Sequence, residues 1–162
     1  MNNSIILHVE DDPNDVELVG LAFRKAKVDS RLVAVNDGEQ AVRYLGGEGN
    51  YSSRADHPFP TLVLLDLKLP RKSGLEVLAW IRSQSEPEIR RLPVLMLTSS
   101  NQPHDIDSAY DLGVNSYLVK PGDLTVLTEL IKTIHQYWLG FNMKPGVTNP
   151  TRHPNFGAAQ TA

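Results

Sequence analysis

The chain has 162 residues, 41% of them hydrophobic and 22% charged, with a net charge of −3 and no cysteine. This length predicts one domain with an adequate core, and the lack of cysteine excludes disulfides, thiolate catalysis and cysteine-based zinc sites. The slightly acidic balance gives no indication of nucleic-acid binding. No apolar run reaches the ~20 residues of a membrane span, and the N-terminus lacks a basic signal-peptide region. We therefore expect a cytoplasmic protein that binds neither nucleic acid nor membrane.

Five short apolar segments alternate with amphipathic segments along the chain. The predicted strands are 4–9, 31–36, 61–66, 93–98 and 115–120. Apolar residues at helical spacing predict a helix after each strand. The first begins at Pro13 after an Asp12 cap, and the others cover 37–45, 73–83, 103–113 and 123–139, with Tyr110 facing inward. Strands that are apolar on both faces and alternate with helices indicate an α/β fold, a doubly wound parallel sheet.

Two segments fall outside this alternation. Residues 46–60 are rich in Gly, Ser and Pro and are predicted to form a long exposed loop, away from the carboxyl ends of the strands and without a catalytic role. Residues 142–162 contain three prolines and no acidic residue, and are predicted to form a flexible tail. The predicted domain therefore covers residues 1–141, and we expect no DNA-binding output module after it.

Polar side chains follow four of the predicted strands. Glu10 and Asp11 follow the first strand, and Asp66, Thr98 and Lys120 end the third, fourth and fifth. In open parallel sheets these carboxyl ends meet at the ligand-binding edge. Three clustered carboxylates suit Mg²⁺, which offsets their repulsion and keeps positions open for a phosphoryl group. Asp66 is then the natural nucleophile towards phosphorus, with Lys120 and Thr98 stabilising the phosphoryl oxygens.

These motifs resemble the receiver domains of two-component response regulators, the family typified by the chemotaxis regulator CheY. The resemblance is carried by "VEDDPND" after the first strand, "LVLLDLKLPRKSGLEVL" around Asp66, "VLMLTSS" at Thr98 and "YLVKP" at Lys120. It covers residues 4 to about 139 in the order of the family. It implies a (βα)5, flavodoxin-like fold with strand order 2-1-3-4-5, and a peptide before Pro121 that is often cis.

The resemblance also implies roles for individual residues. Asp66 would be the phosphoacceptor, stabilised after phosphorylation by Lys120 and Thr98. Thr98 would also form, with Tyr117, the pair that rearranges on phosphorylation. The ligands of Mg²⁺, or of Mn²⁺ in its place, would be Glu10, Asp11, Asp66 and the backbone carbonyl of Lys68.

A narrower resemblance concerns the partner. The segments "VEDDPNDVEL", "LLDLKLP" and "SAYDLGVNSYLVKP", followed by "YWL", are similar to single-domain regulators paired with phytochrome-type histidine kinases of bacteria, including cyanobacteria. This implies a switch that accepts a phosphoryl group from a sensor kinase and changes a protein-interaction surface. Such a protein assists its own phosphotransfer and dephosphorylation and is not a turnover enzyme.

Two other functions remain open from the sequence. A phosphohydrolase of the haloacid-dehalogenase type also uses Asp, Mg²⁺, Thr and Lys, but it needs an acid two residues after the nucleophile, where this chain has Lys68. A receiver that has lost phosphorylation and only binds partners is the other alternative. His8 is expected to pack in the first strand and not to carry a phosphoryl group.

The end of the last predicted helix indicates self-association. Its apolar residues recur at alternating spacings of three and four residues. The first four of these apolar residues are expected to pack on the sheet. The aromatic residues Tyr137, Trp138 and Phe141 lie at or beyond the expected end of the domain, where no core would bury them. We therefore expect a homodimer formed through this C-terminal region.

Overall fold

The computed structural model describes residues 4–145, which form a parallel sheet flanked by helices. The strands are β1 (Ser4–Val9), β2 (Ser30–Val35), β3 (Leu62–Leu65), β4 (Val94–Thr98) and β5 (Ser116–Val119). The helices are α1 (Pro13–Ala26), α2 (Gly38–Gly46), α3 (Gly74–Ser83), the short α4 (Pro87–Arg90), α5 (Pro103–Asp111) and α6 (Leu124–Ile134). The strands lie in the order β2-β1-β3-β4-β5. The predicted fold class and strand order are therefore confirmed.

The two faces of the sheet pack against different helices because successive side chains of a strand point to opposite sides. On β3, Leu62 and Leu64 pack in one cluster with α1 and α6. Val63 and Leu65 pack in the other cluster with α2, α3 and α5. All four are fully buried, which is why this central strand is apolar throughout.

The start of α1 agrees with the sequence pattern. The Asp12 side chain accepts a hydrogen bond from the Asn14 amide at 2.9 Å, and Pro13 occupies the first turn. This cap turns the chain sharply after β1, so Glu10 and Asp11 stay at the strand end.

The last helix differs from the prediction in form. It is α-helical only over Leu124–Ile134 and continues as a π-helical segment over His135–Phe141. Trp138 is half-buried and packs against the cluster beneath α1 and α6, so the expectation that no core would bury it was wrong. Tyr137 and Phe141 are exposed, by 55% and 46%.

Tyr110 was also wrongly predicted to face inward. In α5 the neighbouring Ala109 is fully buried, whereas Tyr110 is 53% exposed. Consecutive residues of an α-helix point about 100° apart, and in α5 the inward direction falls on Ala109, which leaves the Tyr110 ring on the solvent side. The peptide bonds within the described residues are all trans, including the one before Pro121.

The predicted loop 46–60 is more ordered than its composition indicated. It contains a 3₁₀ turn at Gly49–Tyr51, and Arg54 donates hydrogen bonds to the carbonyls of Tyr44 and Leu45, both at 2.7 Å. The Tyr51 ring lies 5.2 Å from that of Tyr44 and 5.1 Å from that of His57. The loop leads into the amino end of β3, and its position away from the strand ends and its lack of a catalytic role stay predictions.

The predicted tail is described only at its beginning. Its residues 146–162 lie outside the described residues, while Lys144 contacts Thr61 at 3.3 Å. Among residues 4–145, no helix has both the length and the apolar character to cross a membrane.

Candidate metal centre

Backbone hydrogen bonds extend the sheet into the residues that follow its strands. The amide of Glu10 donates to the carbonyl of Val35, and the amide of Asp66 donates to that of Val9, both at 3.0 Å. The amide of Lys120 donates to the carbonyl of Thr98 at 2.8 Å. The sheet therefore fixes the backbone of the predicted site residues at one edge.

Three carboxylates meet at this edge. Glu10, Asp11 and Asp66 each offer a carboxylate oxygen, and these oxygens lie within 4.8 Å of one another. Glu10 and Asp66 are buried, whereas Asp11 is exposed. Oxygen ligands in this number, open to solvent on one side, suit a divalent cation that keeps several waters, such as Mg²⁺ or Mn²⁺.

Lys120 places a positive charge among these carboxylates. Its ammonium group contacts Glu10 directly and lies 2.9 Å from Asp15 and 3.5 Å from Asp66. Burial disfavours the charged ammonium, but the hydrogen bonds with Glu10 and Asp15 outweigh it and raise the pKa of Lys120. For Glu10, burial raises the carboxyl pKa, while hydrogen bonds from Lys120 and the Asp12 amide oppose that change. The lysine partly neutralises a cluster that would otherwise repel itself.

Asp66 is held at the tip of the central strand. One oxygen, Oδ1, accepts a hydrogen bond from the Leu67 amide at 2.7 Å, and Oδ2 faces Lys120. The start of α3 presses against this turn, since a Cβ atom on Gly74 would lie 2.1 Å from the Asp66 carbonyl oxygen. The amide of Gly74 donates to the Leu67 carbonyl at 2.8 Å. Only glycine allows this close approach of α3 to the turn.

Thr98 and Tyr117 lie on the neighbouring strands. Thr98 is buried, and its hydroxyl accepts a hydrogen bond from the Ser100 amide at 3.4 Å. The Tyr117 hydroxyl donates to the Ser100 carbonyl at 3.0 Å, and burial raises its pKa. Both predicted switch residues thus contact the same residue in the loop between β4 and α5. Their rearrangement remains a prediction.

Lys68 lies in the loop after β3 with its side chain exposed. The use of its backbone carbonyl as a metal ligand also remains a prediction. His8 is buried in β1, as expected, and neither of its ring nitrogens has a hydrogen-bond partner among the described residues. Loss of hydration, with the nearby positive charge of Lys120, lowers the pKa of His8 to about 4.

The sequence interpretation missed Asp15. This residue lies in the first turn of α1 and forms an ion pair with Lys120 at 2.9 Å. The cap at Asp12 and Pro13 does place Asp15 in the helical turn nearest the strand end, but no sequence signal indicated that it pairs with Lys120.

Comparison with known proteins agrees with this geometry. The family model for the response regulator receiver domain matches residues 6–132. Response regulator Rcp1 of Synechocystis sp. is 38% identical over 135 residues, which cover 83% of this chain and 88% of Rcp1. The probable methanogenesis regulatory protein FilR2 of Methanothrix harundinacea is 39% identical over 143 residues, 88% of each chain.

Solved structures give the same result. The phosphorylated cyanobacterial phytochrome response regulator RcpA is 40% identical, with a TM-score of 0.78 over 88% of this chain and 99% of RcpA. The Mn²⁺-bound form of Rcp1 is 37% identical, with a TM-score of 0.75 over 88% of this chain and 99% of that structure. The chain belongs to the response regulator receiver family and is closely related to phytochrome response regulators. Membership of this family leaves the hydrolase alternative without support.

Proposed function

We propose that this protein is a phosphorylation-controlled switch in which a sensor histidine kinase phosphorylates Asp66. The observation that carries the proposal is the position of Asp66 at the end of the central strand, where it belongs to the acidic cluster and faces the Lys120 ammonium. Glu10, Asp11, Asp66 and the carbonyl of Lys68 would hold Mg²⁺ or Mn²⁺. The bound cation would supply positive charge that stabilises the phosphoryl oxygens during transfer.

The residues of the chain have distinct tasks in this transfer. A carboxylate oxygen of Asp66 forms a bond to phosphorus while the P–N bond of the kinase phosphohistidine breaks and its electron pair returns to the imidazole. The Lys120 ammonium and the Thr98 hydroxyl donate hydrogen bonds to the phosphoryl oxygens. Because Thr98 and Tyr117 both contact Ser100, movement of Thr98 would reach the loop before α5 and the exposed face of β5.

The kinase we propose is of the phytochrome type. Similarity to Rcp1 and to the phytochrome regulator RcpA supports this choice, although FilR2 is equally similar and is named for another process. A phytochrome-type kinase labelled with radioactive ATP should phosphorylate the wild-type protein within minutes and should leave Asp66→Asn unlabelled. A kinase from an unrelated two-component system should transfer far more slowly. Equal rates from both kinases would contradict the phytochrome assignment.

We propose in addition that residues 1–141 form the receiver unit and that it forms a homodimer through its C-terminal segment. Tyr137 and Phe141 expose large apolar surface there, and the rings of Tyr137 and Trp138 form a T-shaped pair with centroids 5.0 Å apart. Burying such surface against a second copy would remove it from water. We also propose that the protein is cytoplasmic, because the kinase uses ATP in that compartment. We propose no contact with nucleic acid.

Sedimentation velocity tests the dimer. Tyr137→Glu should shift the protein towards a monomer, because it places a charge in the apolar contact. Gln136→Glu is the matched control, since Gln136 is exposed on the same segment and receives the same charge. A wild-type protein that stays monomeric at high concentration, with and without phosphorylation, would overturn this part of the proposal.

A further inference from the structure

The hydrogen-bonding capacity of Lys120 is fully used in the unphosphorylated structure. An ammonium group has three N–H donors and no acceptor. The three carboxylates of Glu10, Asp15 and Asp66 lie within hydrogen-bond reach of its nitrogen. To donate to a phosphoryl oxygen, Lys120 must therefore release at least one of them.

Asp15 differs from the other two carboxylates. It belongs to α1 and lies outside the cluster of Glu10, Asp11 and Asp66. A cation bound by that cluster would offset the negative charges of Glu10 and Asp66. Lys120 would then remain the positively charged partner of Asp15. The ammonium is also closer to Asp15, at 2.9 Å, than to Asp66, at 3.5 Å. The ion pair with Asp15 thus draws the lysine away from the phosphoacceptor.

We propose that Asp15 is a positioning residue. Its ion pair with Lys120 competes with the hydrogen bond that the Lys120 ammonium would donate to a phosphoryl group on Asp66. The inference rests on the proposed role of Asp66 as phosphoacceptor. It adds a competition: Asp15 and the phosphoryl oxygens share one ammonium, so removing Asp15 stabilises the phosphorylated state relative to the free one.

Beryllofluoride tests this directly because it mimics a phosphoryl group on a carboxylate without a bond-forming reaction. At saturating Mg²⁺, fluorine NMR titration should show that Asp15→Asn binds beryllofluoride about two- to fivefold more tightly than wild type, the size of effect of a partly exposed ion pair. Glu17→Gln is the matched control. It removes the same charge from an exposed position of α1, and its affinity should stay near that of the wild type.

Two further variants separate positioning from a general effect on the fold. In a Lys120→Met background, Asp15→Asn should no longer change beryllofluoride affinity, because the effect acts through the lysine. Asp15→Glu keeps the acidic group and should return affinity towards the wild-type value. Equal or weaker binding by Asp15→Asn, or tighter binding that persists without Lys120, would overturn the inference. A wild-type protein that forms no adduct would overturn the proposed function together with it.

Discussion

The ammonium nitrogen of Lys120 lies 3.5 Å from a carboxylate oxygen of Asp66, across the sheet from β5 to β3. The two residues are 54 positions apart in sequence, and the parallel sheet brings them together. Both side chains are largely buried. The pair combines a nucleophile with a positive charge placed to stabilise a phosphoryl group bound to that nucleophile.

Replacing Lys120 with Gln should slow phosphorylation of Asp66 by acetyl phosphate about a hundredfold, because one preorganised donor to the phosphoryl oxygens is lost. Mg²⁺ should at the same time bind more tightly, since a competing positive charge leaves the acidic cluster. Intact-protein mass spectrometry gives the rate, and calorimetry gives the Mg²⁺ affinity. Lys132→Gln, at an exposed position of α6, should change neither quantity. A Lys120→Gln protein phosphorylated at the wild-type rate would remove the lysine from the mechanism.

Gly74→Ala should destabilise the protein because the new Cβ atom would lie 2.1 Å from the Asp66 carbonyl oxygen. We expect the free energy of unfolding to fall by about 1–3 kcal/mol, the usual cost of overpacking. Gly20→Ala is the control, since its nearest neighbour is an Arg24 side-chain nitrogen at 3.6 Å and alanine favours a helix. Urea denaturation compares the two variants. Equal stabilities would show that the close contact between α3 and the Asp66 turn is unimportant.

Arg54→Met removes the guanidinium that bonds to the last carbonyls of α2, at Tyr44 and Leu45. We expect a loss of about 1–2 kcal/mol in the free energy of unfolding and faster proteolysis within residues 47–60. The rate of Asp66 phosphorylation should not change, because the hydrogen bonds of Arg54 go to the end of α2 and to the loop itself and not to the acidic cluster. Arg24→Met, on the exposed side of α1, provides the control for loss of an arginine. A phosphorylation defect in Arg54→Met would refute the purely structural role of the loop.

His8 should make stability depend on pH. Burial lowers its pKa from 6.5 to about 4, so between these values the unfolded chain binds a proton that the folded protein does not. Stability contributed by neutral His8 is therefore lost as the pH falls through this range. Between pH 7 and pH 4.5, the free energy of unfolding of His8→Leu should fall by about 2 to 3 kcal/mol less than that of the wild type. Urea denaturation at both pH values measures this difference, and His104→Leu, at an exposed position, is the control. Equal losses of stability in wild type and His8→Leu would contradict the prediction.

Much of the fold follows from local patterns in the sequence. The strand β3 reads as buried because all four of its residues are apolar, and Asp12 with Pro13 marks the start of α1. The strand ends then predict the meeting of Glu10, Asp11 and Asp66, because a parallel sheet collects its carboxyl ends at one edge. The strand order came from the resemblance to the receiver family.

What the sequence did not reveal depends on tertiary contacts. The pairing of Asp15 with Lys120 spans 105 positions, and no local pattern indicates which acid a lysine selects. Trp138 packs on the core because the helical chain continues past Ile134 and the second hydrophobic cluster extends beneath it, which the expected end of the domain did not indicate. The loop 46–60 looks unstructured by composition, yet Arg54 fixes it through backbone carbonyls that a sequence pattern does not identify.

The most direct test of the central claim is peptide-resolved mass spectrometry after incubation with acetyl phosphate and Mg²⁺. We expect one added phosphoryl group, located on Asp66, and none when EDTA removes the cation or when Asp66 is replaced by Asn. A folded, Mg²⁺-loaded protein that stays unmodified would contradict the account and favour a receiver that only binds partners. A phosphoryl group found on another residue would contradict it equally.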